Sequence, residues 1–247
     1  MGYCKSGLLS SSVASVYLNS ASNFDLNHYT SVDEDALAIL CNCNKGLQLD
    51  GLSEISVANA ICLASFKGAF LYLNGIKTFS LKVIREIIKY KGGLAIHGLQ
   101  SLNPETAFEL SQFKGKWISL KGISKLGEEN AKHFANYAAE KLFLDGIVNL
   151  SDQEAFYLSR CKTEWLSLNG LVDLTNIAAE YFVNFKGDLC FGSIEYLPDE
   201  LAFVLANFSG RTLSFPFLSV ISDNALGYLS RIDTDALVLP NFLKDRI

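Results

Sequence analysis

Hydrophobic positions recur along this chain in a unit of 23 or 24 residues, which opens with two apolar residues two positions apart. In one clear copy the pair is Leu71 and Leu73, with the variable Tyr72 between them. This spacing predicts a short strand that buries one of its faces. The first position of the pair is held in successive copies by Met1, Phe24, Leu47, Leu71, Leu94, Ile118, Leu142, Leu166, Leu189, Leu213 and Leu237.

A glycine closes the predicted strand in the regular copies, at positions 51, 75, 98, 122, 146 and 170. Glycine at the end of a strand favours a bend or the close approach of another backbone. His28, Ser193, Phe217 and Asn241 hold this place in the divergent copies.

A predicted helix follows each strand. After Ser56, the residues Ala60, Leu63 and Phe66 are spaced by three and four and therefore share one helix face. Side chains able to cap such a helix recur at Ser10, Asp33, Ser56, Ser80, Asn103, Ser151, Thr175 and Ser222. Pro104 and Pro198 fit a first helical turn.

The same pattern predicts where each helix ends. We expect the glycine of a Lys–Gly or Ser–Gly pair to adopt the left-handed cap conformation, and the lysine to face the negative end of the helix dipole. These pairs lie at 67–68, 91–92, 114–115, 186–187 and 209–210.

One strand and one helix cannot bury their apolar faces alone, so neighbouring units must stack. We predict an α/β solenoid of about ten such units, with a parallel sheet on a concave face and helices on the convex face. The prediction treats residues 1–247 as one domain, in which 1–23 form a degenerate first unit, 47–187 hold the regular units and 188–247 drift from the pattern.

The run Leu-x-Leu-x-Gly-Leu-x-x-Leu-Ser/Thr, followed by Ala and Leu at helical spacing, resembles leucine-rich repeats. It is similar to the helix-bearing subclasses, the ribonuclease-inhibitor-like and cysteine-containing types, and to Gly-Leu variants common in bacterial genomes. Leu171 stands where the cysteine-containing type has its Cys, while Asn74 and Asn169 fall one place after the second Leu. The resemblance implies a horseshoe fold and a binding role, without indicating what is bound.

Composition narrows the choice of partner. The net charge of −5 argues against a nucleic-acid partner, which requires basic stripes. No stretch is long and apolar enough to span a membrane. The six cysteines contain no Cys-x-x-Cys motif, so we expect reduced thiols, a cytoplasmic location, no metal and no cofactor. A secreted effector and a part of a larger surface protein remain alternatives.

Two questions about the chain ends stay open. The segment 1–6 resembles an N-myristoylation signal with a palmitoylatable Cys4, although the bulky Tyr3 disfavours it. The chain is either whole or an excised piece of a longer array. In the second case, bare end strands favour self-association.

Residues that flank the inward leucines should face the concave side of the sheet. We predict that this surface binds a protein or peptide, because exposed aromatic side chains among mixed charges are typical of binding hot spots. The predicted contact residues are Phe70, Tyr72, Asn74, His97, Trp117, Lys121, Phe143, Asp145, Trp165 and Asn169.

Other interpretations compete with this one. Each aromatic ring could pack only against the next rung of the sheet, and His97 and Lys121 could be a solvated pair. The whole array could be a structural spacer or stalk. Catalysis is the weakest alternative, since Cys190 and His97 lie four units apart, or about 19 Å at the usual strand spacing. We therefore expect no catalytic residues.

Overall fold

The computed structural model describes residues 7–19, 24–244 and 246, which form two compact units that meet in sequence between Gly122 and Ile123. Both units repeat a short strand followed by a helix. The strand predicted at Met1 and Tyr3, and the segment 1–6 with its lipidation question, lie outside the described residues.

The first unit has six strands and five helices among its described residues. In chain order they are β1 (Leu8–Leu9), α1 (Ser11–Asn19), β2 (Ser31–Val32), α2 (Glu34–Leu40), β3 (Leu47–Gln48), α3 (Val57–Ala64), β4 (Phe70–Tyr72), α4 (Leu81–Ile87), β5 (Gly93–Ala95), α5 (Pro104–Ser111) and β6 (Trp117–Ser119). Strands β3, β4, β5 and β6 pair in that order, all parallel, and β1 pairs with β2.

The second unit continues the pattern with seven strands and six helices in its described part. They are α6 (Glu128–Phe134), β7 (Lys141–Phe143), α7 (Asp152–Leu158), β8 (Trp165–Ser167), α8 (Asn176–Phe182), β9 (Asp188–Cys190), β10 (Tyr196–Leu197), α9 (Asp199–Leu205), β11 (Thr212–Ser214), β12 (Val220–Ile221), α10 (Asp223–Leu229), β13 (Leu237–Val238) and α11 (Asn241–Lys244). Strands β7, β8, β9, β11 and β13 pair in order, all parallel, and β10 pairs with β12.

The strand register confirms the predicted repeat. In the first unit Leu71 lies opposite Leu47 on one side and Leu94 on the other. In the second unit Leu189 lies between Leu166 and Leu213 in the same way. All six leucines are fully buried, so these predicted first positions occupy the same place in successive rungs.

Three features of the early and late copies differ from the prediction. No strand forms at Phe24–Leu26, although Leu26 is buried at the predicted inward position. The short paired strands β1, β2, β10 and β12 lie directly before helices and were not predicted, because two residues are too few to give a periodic signal. The helix α11 was also not predicted.

The helices bury the face that the spacing predicted. Ala60 and Leu63 of α3 are fully buried, and Phe66, just past the helix, is 3% exposed. The small Ala60 leaves room for α3 to lie close to the strands. In the second unit the ring of Phe182 on α8 meets Phe191 at a centroid distance of 5.8 Å, which joins a helix to an inward position next to β9.

Tyrosine replaces phenylalanine where a buried backbone carbonyl needs a donor. The ring of Tyr90 stacks on Phe66 at 5.9 Å, and its hydroxyl donates to the carbonyl oxygen of Gly68 at 2.7 Å. Burial raises the pKa of Tyr90. The hydroxyl of Tyr137 also donates to a backbone carbonyl, that of Lys141 four residues later in the chain, at 3.0 Å.

Helix starts agree with the predicted caps. Asp33, Ser56, Ser80, Asn103, Ser151, Thr175 and Ser222 each accept a backbone N–H of the first turn. Ser10 directly precedes α1, and Pro104 is the first residue of α5. Pro198 stands one residue earlier than predicted, at the cap of α9 rather than inside the first turn.

The predicted left-handed glycine caps are wrong. Helix α3 ends before Ser65, three residues ahead of Gly68, so Lys67 lies beyond the helix rather than in its last turn. Among the described residues, only Gly127 has a positive φ, of 84°. At Gly68 an added Cβ would lie 2.1 Å from the carbonyl oxygen of Lys45. The same crowding recurs at Gly92, Gly115, Gly187 and Gly210. These glycines are required by the close approach of the preceding unit's backbone.

The glycines after the strands serve the same purpose, as predicted for a close approach. At Gly75 an added Cβ would lie 2.2 Å from the carbonyl oxygen of Asp50, and at Gly98 it would lie 2.2 Å from that of Ile76. Each contact is with backbone, which cannot move aside as a flexible side chain could.

We predict opposite effects for two glycine-to-alanine substitutions. Gly98→Ala should lower the free energy of unfolding by about 2 kcal/mol or more, because the new methyl group forces neighbouring backbones apart. Gly227→Ala should raise it by about 0.5–1 kcal/mol, because Gly227 lies inside α10 with open space around it and alanine favours helix. Urea denaturation of both variants beside the wild type measures this. Equal effects would contradict the steric account.

Candidate functional site

Three aromatic side chains cluster on the first unit, on the strand face opposite the inward leucines. Phe70 and Tyr72 both project from β4, with ring centroids 4.8 Å apart. Trp117 projects from β6, two strands away, yet its ring meets Tyr72 edge-on at 6.1 Å. We call these three residues the aromatic cluster.

Small residues on the neighbouring strands make this cluster possible. Strand β5 lies between β4 and β6, and it places Gly93 between Phe70 and Trp117. An added Cβ at Gly93 would lie 1.8 Å from the indole of Trp117, so the indole lies over this glycine. In the same way the ring of Phe70 covers Gly46, where an added Cβ would lie 2.0 Å from it.

The cluster is held firmly but is not hidden. Phe70, Tyr72 and Trp117 are each half-buried, whereas Ala95, on the strand between them, is only 2% exposed. The rings therefore cover the small residues of the sheet and present their outer surfaces to solvent. Aromatic side chains fixed in this way lose little conformational entropy when a partner covers them.

A cleft borders the cluster on the Phe70 side. It has a volume of about 600 Å³, and Gly46, Gln48 and Phe70 form the wall nearest the cluster. The rest of its lining mixes apolar and polar groups: Tyr17, Leu18, Phe24, Asp25, Leu26, Asn27, Cys43 and Lys45.

The second unit has its own aromatic residues, described separately. Trp165 on β8 lies opposite Lys141 on β7, whose ammonium nitrogen is 5.3 Å from the centre of the indole ring. Phe143 on β7 is half-buried. The indole nitrogen of Trp165 is buried, with no hydrogen-bond acceptor within reach among the described residues.

An ion pair lies beside Trp165. Asp188 on β9 is opposite Trp165, and the guanidinium of Arg211 donates two hydrogen bonds to its carboxylate, one of them 2.9 Å long. These bonds hold the pKa of Asp188 below its usual value, against the opposing effect of partial burial. A second carboxylate, that of Glu164, lies 3.7 Å from Arg211.

The predicted contact residue Asn74 has a structural role. The carboxylate of Asp50 accepts the backbone N–H of Asn74 at 3.0 Å, and the side-chain oxygen of Asn74 accepts the N–H of His97 at 2.9 Å. One unit earlier, Asn27 accepts the N–H of Asp50 at 2.9 Å. A ladder of Asn and Asp side chains therefore joins successive rungs at the place after the second leucine.

The same ladder position recurs in the second unit. Asp145 accepts the backbone N–H of Asn169 at 3.2 Å and also the hydroxyl of Ser167. The amide of Asn169 then donates to the same hydroxyl at 2.9 Å. Asp145 and Asn169, both predicted contact residues, thus contribute polar groups to joining adjacent strands.

His97 and Lys121 are placed differently from each other. His97 is half-buried, and its Nε2 lies 2.8 Å from the hydroxyl of Ser119. A serine–histidine contact could suggest a nucleophile and its base, but Ser119 is only 4% exposed, so its hydroxyl offers little access to a substrate. Lys121 is exposed.

The thiol of Cys190 is also poorly suited to act as a nucleophile. Burial raises the pKa of the Cys190 thiol, and the charge of Asp145 adds to this, while a hydrogen bond with Ser214 opposes it. A protonated thiol is a poor nucleophile. The described cysteines Cys41, Cys43, Cys62, Cys161 and Cys190 are all free thiols. Across the described residues, no three His, Cys, Asp or Glu side chains lie close enough together to hold a metal ion.

Sequence reasoning missed the small residues that shape the aromatic cluster. A signal was present, because Gly46 stands 24 residues before Phe70, and Gly93 stands 24 before Trp117. A glycine one unit ahead of a bulky residue leaves room for a ring to lie across the neighbouring strand.

A scan of the chain against protein-family models finds no match, and a search of curated proteins finds no similar sequence. None of the described helices is long and apolar enough to cross a lipid bilayer.

We predict that Asn74→Ala lowers the free energy of unfolding by about 1–2 kcal/mol, because it leaves the N–H of His97 without its acceptor. Asn74→Asp should be nearly neutral, since Asp50 fills the same ladder position one unit earlier. Urea denaturation of the two variants separates these outcomes. If alanine and aspartate were equally tolerated, the ladder would contribute nothing to stability.

Proposed function

We propose that this chain is a leucine-rich-repeat protein that binds a protein or peptide partner. The observation that carries the proposal is the aromatic cluster of Phe70, Tyr72 and Trp117, which is held over glycines on an open strand face. Large, rigid aromatic surfaces supply much of the binding energy at protein interfaces.

The contacts of the predicted site residues narrow the proposal. Asn74 and Asp145 each accept a backbone N–H of the next rung, and the amide of Asn169 donates to Ser167 on its own rung. We therefore assign these three side chains to positioning the strands rather than to direct contact. The proposed contact surface of the first unit is the aromatic cluster. In the second unit, Phe143 and Trp165 form a separate candidate surface, flanked by Lys141.

The aromatic cluster also argues against the alternative of a structural spacer. A spacer needs only small polar residues on its open strand face, and no large ring has to be accommodated there. Gly46 and Gly93 leave the room that Phe70 and Trp117 occupy, at the cost of side-chain packing on two strands. This arrangement favours a surface that binds.

We expect Tyr72→Ala/Trp117→Ala to lose its partner in a pull-down from a lysate of the source cells. Phe108→Ala is the matched control, because Phe108 is an exposed aromatic residue, 49% accessible, on helix α5. A protein retained by the wild type and by Phe108→Ala, but not by the double variant, would support the proposal.

Circular dichroism must show that all three proteins are folded. If a partner bound the double variant as well as the wild type, the aromatic cluster would not be the contact surface. If the folded wild type captured nothing specific, the spacer alternative would be favoured.

A further inference from the structure

Lysines recur in the helix-to-strand segments of the first unit. Six lysines and no aspartate or glutamate lie in four segments that lead from a helix to the next strand. These segments are 41–46, 65–69, 88–92 and 112–116. All six are exposed, and we call them the lysine rim: Lys45, Lys67, Lys89, Lys91, Lys114 and Lys116. Apart from Asp25, which lies between α1 and β2, the acidic residues of this unit lie on helices or in the segments that lead from a strand to the following helix.

Helix dipoles explain only part of the rim. One lysine after each helix would offset the negative end of its dipole. The segments 88–92 and 112–116 each carry two. Of the six, Lys89 has an ion-pair partner close by, since its ammonium lies 2.7 Å from the carboxylate of Glu86.

Four of the lysines converge on one cleft of about 500 Å³, and no acidic side chain lines it. Its basic residues are Lys67, Lys89, Lys91 and Lys116, and the rest of its lining is Ala64, Ser65, Phe66, Gly68, Ala69 and Gly92. A group of like charges in one cleft attracts an anionic partner by focusing the field.

The cleft adjoins the aromatic cluster. Ala69 lines the cleft, and Phe70 is the next residue; Lys116 lines the cleft, and Trp117 is the next residue. A chain that lies along the starts of strands β4 to β6 would therefore meet positive charge on one side and aromatic rings on the other.

We propose that the first unit binds an acidic peptide segment, whose carboxylates lie along the lysine rim and whose apolar side chain rests on the aromatic cluster. This inference rests on the proposed function and adds the chemistry of the partner. Charge complementarity would give specificity and a fast association rate, and the rings would contribute most of the affinity.

A phage library of random peptides, long enough to span three strands, tests the proposal without a known partner. The wild type should enrich sequences rich in Asp and Glu around at least one large apolar residue. A representative enriched peptide should bind Lys67→Glu/Lys91→Glu/Lys116→Glu at least about tenfold more weakly than the wild type in fluorescence anisotropy.

The matched control is Lys125→Glu/Lys162→Glu/Lys186→Glu, which changes the net charge equally on exposed lysines of the second unit. At a salt concentration that screens the long-range effect of net charge, it should bind the peptide within about twofold of the wild type. Equal loss in both triple variants would overturn the rim as the site.

The outcomes separate this inference from the proposed function. Enriched peptides that are neutral or basic, and that still lose binding in Tyr72→Ala/Trp117→Ala, would overturn the acidic partner while keeping the aromatic site. No enrichment over background by the folded wild type would overturn both. Acidic peptides that bind the Lys→Glu variant of the rim unchanged would also overturn the inference.

Discussion

Each rung of this fold lies directly against the backbone of the next, and the other features depend on that contact. Strand pairing alone joins two or three residues per rung, which is too little to fix the loops on either side. Glycines such as Gly75 and Gly98 let neighbouring carbonyl groups approach where a side chain would clash. Asn and Asp side chains such as Asn74 then satisfy backbone N–H groups that the short strands leave without partners.

The close contact between rungs also shapes the surface that we propose binds a partner. Because adjacent strands are fixed in register, Gly93 always lies beneath the indole of Trp117, and Phe70 always covers Gly46. The aromatic cluster is therefore part of a rigid scaffold rather than of a loop. Such preorganised rings can contribute to affinity without a large entropy cost on binding.

The sequence predicted the elements that depend on periodicity and missed those that depend on contacts between units. Leu71 and its equivalents, and caps such as Ser56, follow from spacing and local chemistry, and the structure confirms them. The predicted role of Gly68 as a helix cap is wrong. Glycine suits both a left-handed cap and a tight backbone contact, and only the fold distinguishes these two uses. Asn74 was predicted as a contact residue, since its hydrogen bond to the next unit cannot be read from alternation along one strand.

Amide hydrogen exchange followed by NMR would test the contact between rungs most directly. The N–H groups of Asp50, Asn74 and His97 donate to side chains of the preceding unit, and we expect them to exchange slowly. Their protection should approach that of Leu73, whose N–H bonds to a backbone carbonyl of β5. Exchange as fast as in an unstructured peptide at these three amides, with Leu73 still protected, would contradict a ladder that holds the rungs together.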